Sequence, residues 1–319
     1  MAPGGNPVSS SSHGEGASAL ADGAAFIDDR IVPIAEARIP ILDRGFLRSD
    51  VTYDVAGVWQ GAFFRLDDHL DRFERSCREL RLKPPYSRGE IVDILMRLVR
   101  ATGLRDAYVN VTCTRGIGGA RDPRTYRSHR FYAYVIPYVW IFEPENDDDG
   151  LHLWVSRAIR RIPVDSVDPT VKNYHWGDFT RAQFEAYEHG ADYPVLLDHE
   201  GVVTEGPGFN MFAVVDGKLL TPAGGALEGV TRRSVIDLAA ENDIPCHEVP
   251  LDERTLREAD EIFATSTAGG IMPVTRLDGE PVSGGRPGTL TRSIRKLYWD
   301  AHTDPRWTLP VDYADPPEA

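Results

Sequence analysis

The feature that most limits the fold is a break near the middle of the chain. Residues 143–150 read EPENDDDG, acidic and proline-containing with no apolar side chain. Such a stretch has nothing to place in a core, so it reads as a linker between two domains. At 319 residues the chain is long enough to divide in this way.

The two sides of the break differ in pattern. Residues 24–39 alternate about Asp28-Asp29-Arg30, which predicts a hairpin. Two more strands are predicted at 51–59 and 62–65, around Gln60-Gly61. A helix is predicted over 66–82, where Leu70, Phe73, Cys77 and Leu80 recur at helical spacing and Asp67 or Asp68 stands where a cap is needed. A second helix covers 88–102 and stops at Gly103. Strands follow at 107–114 and 131–139, with a glycine- and arginine-rich mobile loop between them over 115–130. Beyond the break, strands at 151–159, 194–197 and 261–265, and a hairpin of 211–215 with 219–220, alternate with helices over 173–189, 231–241 and 290–302. Hairpins then helices, followed by a mixed half, argue for two α+β domains rather than one doubly wound sheet. The expected division is an arm over 1–22, a small domain over 23–142, the linker, and a larger domain over 151–319. The arm is rich in Gly, Ser and Pro, with neither a basic start nor an apolar stretch. It reads as disordered and not as a secretory signal.

A formal charge of −14 and a pI near 5.1 argue against nucleic acid or an anionic membrane surface as the main partner. No apolar run is long enough to span a bilayer. Cys77, Cys113 and Cys246 are widely spaced and form no metal or disulfide framework, so a reduced, cytoplasmic compartment is expected. HExxH, GxSxG and P-loop patterns are absent and the histidines are scattered, so no metal is expected.

Positive charge is carried almost wholly by arginine. The four lysines are Lys83, Lys172, Lys218 and Lys296. Lys172 lies in DPTVKNYHWGD, between an extended segment and an aromatic-flanked helix. An amine, unlike a guanidinium, can lose its proton and form a Schiff base with a carbonyl. This points to a lysine that holds pyridoxal 5'-phosphate. Such a site also needs a carboxylate at the pyridine nitrogen, an anion cradle and a pocket. Glu205, in TEGPGFN, is the candidate carboxylate. LEGVT runs into the helix at 231–241, so Gly229, Val230 and Thr231 bring amides to its positive end. TSTAGG, over 265–270, offers small hydroxyl residues for close phosphate approach. Arg72 is the candidate cation. Tyr53, Tyr108, Tyr138, Trp140 and Trp176 are candidate pocket aromatics, and Arg48 and Arg121 are cations able to meet a substrate carboxylate. Taken singly, most of these have a simpler explanation as turn, cap, surface or core residues.

Together the motifs resemble the fold-type IV pyridoxal-phosphate transaminases, the group of branched-chain and D-amino-acid transaminases. Those motifs are FLRSDVTYDV, FFRLDDHLDR, VTCTRGIGGAR, DPTVKNYHWGDFTR, TEGPGFN, LEGVTRRSVID and STAGGIMPVTRLDGEPV, and the likeness spans 24–313. Within the group the chain looks most like the (R)-selective amine transaminases. The resemblance implies a two-domain α+β fold with the cofactor between the domains. It implies Lys172 as the Schiff-base lysine, Glu205 at the pyridine nitrogen, and Arg72, Val230, Thr231 and Thr267 at the phosphate. Tyr53, Tyr108, Trp176 and Ala268 would line the substrate pocket, and Arg121 would bind a keto-acid carboxylate. It also implies a homodimer with shared sites, working on small-molecule amines and a keto acid such as pyruvate. One departure stands out. Arg48, in FLRSD, occupies a position where many (R)-amine enzymes carry histidine; a cation held near the pocket there would favour carboxylate-bearing substrates such as D-amino acids, whereas one swung outward would not. A D-amino-acid or branched-chain transaminase and an aminodeoxychorismate lyase are alternatives on the same fold. A non-enzymatic ligand-binding protein is the alternative from another class.

Overall fold

The computed structural model describes residues 20–118, 121–143, 145 and 148–314. Most of the expected N-terminal arm, Gly119 and Ala120 of the arginine-rich loop, and Pro144, Asn146 and Asp147 of the expected linker lie outside the described residues.

The first half supplies β1 (Ala24–Ile27), β2 (Arg30–Pro33), β3 (Val51–Trp59), β4 (Ala62–Phe64), β5 (Ala107–Thr114) and β6 (Arg130–Pro137). The helices of this half are α1 (Arg44–Arg48), α2 (Leu66–Glu79) and α3 (Arg88–Thr102). The six strands form an antiparallel sheet in the order β4-β3-β5-β6-β1-β2. Helices α2 and α3 cover one face of it, burying Leu70, Phe73, Leu95 and Leu98 against Val58, Val109 and Val135. Helix α3 has firm ends. Ser87 and Glu90 form a reciprocal cap at its start, and Gly103 turns left-handed at its end.

The second half supplies β7 (Leu151–Arg160), β8 (Tyr193–Leu197), β9 (Glu205–Gly206), β10 (Phe209–Val215), β11 (Lys218–Pro222), β12 (Cys246–Val249), β13 (Glu261–Ser266), β14 (Gly270–Leu277) and β15 (Glu280–Pro281). Its helices are α4 (Gly177–Glu188), α5 (Val230–Glu241), α6 (Glu253–Arg257) and α7 (Thr289–Asp300). The mixed sheet runs β12-β11-β10-β13-β14-β7-β8, with β9 beside β10 and β15 beside β14. Period-2 alternation gives it two apolar faces. Phe212, Val214 and Phe263 pack under α5 and α7, while Met211, Ala213, Ile262 and Ala264 face Leu251 and Leu256.

Several expectations need correction. The last strand, β16 (Thr308–Pro310), pairs with β4, so the C-terminal segment leaves the second half and completes the first sheet. Phe64 of β4 in turn packs with Ile294 and Tyr298 of α7, which fastens the halves together. Neither Asp67 nor Asp68 caps α2. The helix starts at Leu66 after a left-handed Arg65, and Asp68 pairs back to Arg65 at 2.6 Å. The helix expected from residue 173 begins four residues later, at Gly177. Asn173 prevents the earlier start, because its side chain donates to Val171 O and accepts from His175 N in place of a helical turn. Helix α1 and strands β12 and β14 have no counterpart among the sequence expectations.

Candidate active site

A cavity of about 490 Å³ opens between the two sheets. All the predicted site residues line it except Arg48, Arg121, Tyr138 and Trp140.

Lys172 enters this cavity from an irregular segment pinned to the first sheet. Its carbonyl accepts from Thr52 Oγ1 at 2.6 Å and from Tyr53 N at 3.3 Å, and its own amide meets Ser76 Oγ at 3.4 Å. The side chain lies against Tyr53, with Nζ 4.7 Å from the ring centroid. Enclosure by protein, helped by the charge of Arg72, lowers the Lys172 amine from its ordinary value to about 8. Near neutral pH, an appreciable share of this amine is a free nucleophile.

Glu205 is buried on β9, directly across from Asn210 of β10. Its Oε1 accepts from Nε and Nη2 of Arg161, each at 3.2 Å, and its Oε2 accepts from Leu227 N at 3.0 Å. Arg161 also donates to Asp178 Oδ2 at 2.6 Å and lies over the Phe179 ring. Burial pushes the Glu205 carboxyl above the usual range, while Arg161 and the Leu227 amide oppose that rise. A carboxylate of raised basicity is a strong acceptor for an N–H facing it.

The anion cradle forms where α5 begins. Gly229 is its N-cap and supplies no side-chain cap, so the first amides of the helix keep their donor capacity beside Thr231. The approach to the helix is fixed by Asn210, whose Nδ2 donates to Leu227 O at 2.8 Å. Only glycine fits at 229, because a Cβ there would lie 2.1 Å from Asn210 Oδ1. Thr267 and Ala268 close the same wall, and the Thr267 carbonyl accepts from Tyr138 Oη at 2.5 Å. Arg72 completes the cradle from α2.

The sequence-predicted residues are thus mostly gathered, but not all. Tyr138 and Trp140 pack edge-on against Trp59, and Trp140 lies tilted against Trp299, in an aromatic cluster beside the cavity. Arg48 lies exposed at the end of α1 and donates to Leu47 O. Arg121 is exposed as well, its carbonyl accepting from Arg44. Sequence reasoning misses Asp54, His69, Arg161, Asp178 and Asn210. Asp54 alone carries a usable signal, as a single carboxylate inside the strand-like run VTYDVAGVW.

The model of the family described as amino-transferase class IV matches residues 52–277. The chain belongs to that family. Among curated relatives, this aminotransferase is 32% identical to the Methanocaldococcus jannaschii protein named "Putative branched-chain-amino-acid aminotransferase", over 90% of this chain and 98% of that one. It is 28% identical to the D-alanine aminotransferase of Staphylococcus epidermidis, over 86% and 95%. The branched-chain amino acid aminotransferase from Thermobaculum terrenum, solved in its PLP-form, superposes with a TM-score of 0.79 at 29% identity, over 91% of this chain and 98% of that one. Those matches establish the two-domain fold-type IV architecture.

The donor set fits pyridoxal 5'-phosphate. An amine of lowered pKa, a buried carboxylate, an uncapped helix start and a buried arginine surround one cavity. The hydroxyl of Thr265 on its wall is the one buried polar side-chain atom left without a partner among the described residues. No helix of the described residues is long and apolar enough to cross a membrane, and no group of three or more His, Cys, Asp or Glu among them is placed to hold a metal.

Proposed function

We propose that this class IV aminotransferase moves an amino group from an (R)-configured primary amine to a keto acid such as pyruvate, with pyridoxal 5'-phosphate as its cofactor. The observation that carries the choice of donor is the cavity lining. Lys172 and Arg72 are its only cations among the described residues, and both already have partners or duties. Val55, Tyr108, Val139, Ile141 and Phe184 form much of the rest. A neutral amine with an apolar substituent suits such walls without further charge, whereas a carboxylate needs a cation brought in from outside this lining. Arg121 sits outside the cavity and leaves it open to such an amine. We assign Arg121 to the carboxylate of the keto acid.

In this account Lys172 holds the cofactor's aldehyde carbon through Nζ. When bound, the protonated pyridine ring draws electrons from the carbon that carries the substrate nitrogen. With the cofactor bound, the freed Lys172 amine would act as the base that takes the proton from the substrate carbon and then as the acid that delivers it to the cofactor's former aldehyde carbon, a task suited to a pKa near neutrality. Glu205, backed by Arg161 and Leu227, holds the proton at the ring nitrogen. Val230, Thr231, Thr267 and Arg72 hold the phosphate. Tyr53, Tyr108 and Trp176 orient the substrate.

A second account, an amino-acid transaminase, draws support from the branched-chain and D-alanine aminotransferases to which the chain is similar. Initial rates with (R)-1-phenylethylamine, D-alanine and L-leucine, each with pyruvate as acceptor, separate the two. The proposal expects the aryl amine to be the best donor. A clear preference for D-alanine or L-leucine overturns it. Release of pyruvate without an amine acceptor would instead indicate a lyase.

The enzyme is proposed to act as a cytoplasmic homodimer. Ile39, Ile41, Leu42, Phe46, Leu47 and Ile117 are all exposed, and a bridge between Asp43 and Ile117 brings their two segments together. Apolar exposure of this kind marks an interaction surface. Arg48 belongs to the same segment, so a dimer built on this face carries Arg48 into the interface.

A further inference from the structure

Asp54 has no part in the account above, yet it is among the best-connected carboxylates in the molecule. It lies at the centre of β3 and is 1% exposed. Strand alternation points Tyr53 and Val55 at the cavity. It turns Asp54, with Ala56 and Val58, toward α2 and the apolar core. A carboxylate among such neighbours is costly unless it is paired and hydrogen-bonded. Arg72 Nε donates to Oδ2 at 2.7 Å and Nη2 donates to Oδ1 at 2.8 Å, a two-point clamp. His69 Nδ1 lies 2.9 Å from Oδ1. Burial by itself would raise the Asp54 carboxyl, but the Arg72 guanidinium reverses that and holds it well below the usual range.

The clamp matters because Arg72 stands between two cavities. On one side is the active-site cavity with Val230, Thr231 and Thr267. On the other is a second cavity of about 380 Å³, where the five carboxylates Asp68, Asp71, Glu228, Asp237 and Glu248 outnumber the three arginines other than Arg72. Those carboxylates are each paired with other arginines, Asp68 and Asp237 with Arg65, Asp71 with Arg88, Glu228 with Arg75 and Glu248 with Arg232, so Asp54 is the carboxylate left to orient Arg72. The clamp fixes two of the five N–H groups of the guanidinium, and a bond from Nη1 to Glu228 O at 3.0 Å fixes a third. Two remain for the active-site cavity that Arg72 lines.

We propose that Asp54 is a positioning residue: it holds Arg72 against the phosphate cradle and acts on the cofactor's phosphate through Arg72. This rests on the assignment of pyridoxal 5'-phosphate to the site. The test compares binding of pyridoxal 5'-phosphate and of pyridoxal, which lacks the phosphate, to cofactor-free protein, followed by quenching of protein fluorescence. The proteins are wild type, Asp54→Asn, Arg72→Gln and the double variant. Asp54→Asn is expected to weaken pyridoxal 5'-phosphate by roughly 10- to 100-fold, the range for losing hydrogen bonds to a charged group. Pyridoxal should change by less than about 3-fold, and the double variant should match Arg72→Gln within about 3-fold, as expected when one residue acts through the other. If Asp54→Asn does not fold, the double variant, which replaces the ion pair by two amides, still carries the test against Arg72→Gln. Equal weakening of both ligands makes Asp54 merely structural and overturns the inference, as does a double variant much weaker than Arg72→Gln. Wild-type protein that takes up neither ligand overturns the cofactor assignment and this inference with it.

Discussion

The chemistry rests on how one amine is held. Lys172 is fixed through its backbone to β3 and Ser76 rather than by a helix, and its Nζ lies over Tyr53 inside the cavity. The other three lysines are exposed. Because enclosure lowers Lys172 to about 8, its neutral form grows as pH rises through that value. The rate at which cofactor-free protein captures pyridoxal 5'-phosphate, followed by the yellow absorbance of the product, should therefore climb between about pH 7 and 9 and level off above. An ordinary lysine would go on gaining rate beyond about pH 10. A profile with no inflection near 8 would contradict the enclosure argument. Lys172 is legible in the sequence because lysine is scarce and its neighbours are distinctive. Its support is not. Arg161 is one of two adjacent arginines in IRRIP, and only the fold shows which of them meets Glu205 and Asp178.

The elements around the site differ in how plainly the sequence shows them, for physical reasons. Helix α3 is clear because a capping box and a glycine mark its ends. The start of α4 is obscured because Asn173 satisfies the local backbone with its own side chain. Strand β14 is hidden because glycines precede it and Pro273 interrupts its pattern, although it is central to the second sheet. The hairpin β9–β10 and the start of α5 form one unit, joined by Leu227 N to Glu205 and by Asn210 to Leu227 O. Gly229→Ala should disturb that unit, since its Cβ would meet Asn210 Oδ1 at 2.1 Å. Overpacking of this kind costs about 1–3 kcal/mol, so a lowered melting temperature is expected together with weaker cofactor binding. Wild-type values for both would show that the loop can shift without consequence.

Across the whole molecule, composition suggests a break at 143–150, but the return of β16 to the first sheet is not readable from the sequence. That pairing joins residues far apart in sequence, as Thr308 meets Phe64. The exposed face around α1 leads to a prediction of its own. Light scattering should give a dimer for the wild type, and Phe46→Asp, which places a charge in the segment that exposes Ile41, Leu42 and Leu47, should shift the population toward monomer. A wild-type monomer at micromolar concentration would remove the dimer from the proposal. Arg48 and Arg121 illustrate a limit of reading along one chain: their charge is plain, but their distance from the cavity of their own chain depends on how α1 and the 115–130 loop are tied down. The account as a whole depends on where the cofactor becomes attached. Borohydride reduction of the cofactor-loaded protein, followed by peptide mapping, reads this directly. A phosphopyridoxyl group is expected on Lys172 and on none of Lys83, Lys218 or Lys296. Its presence on one of those three, or its absence from Lys172, would contradict the account.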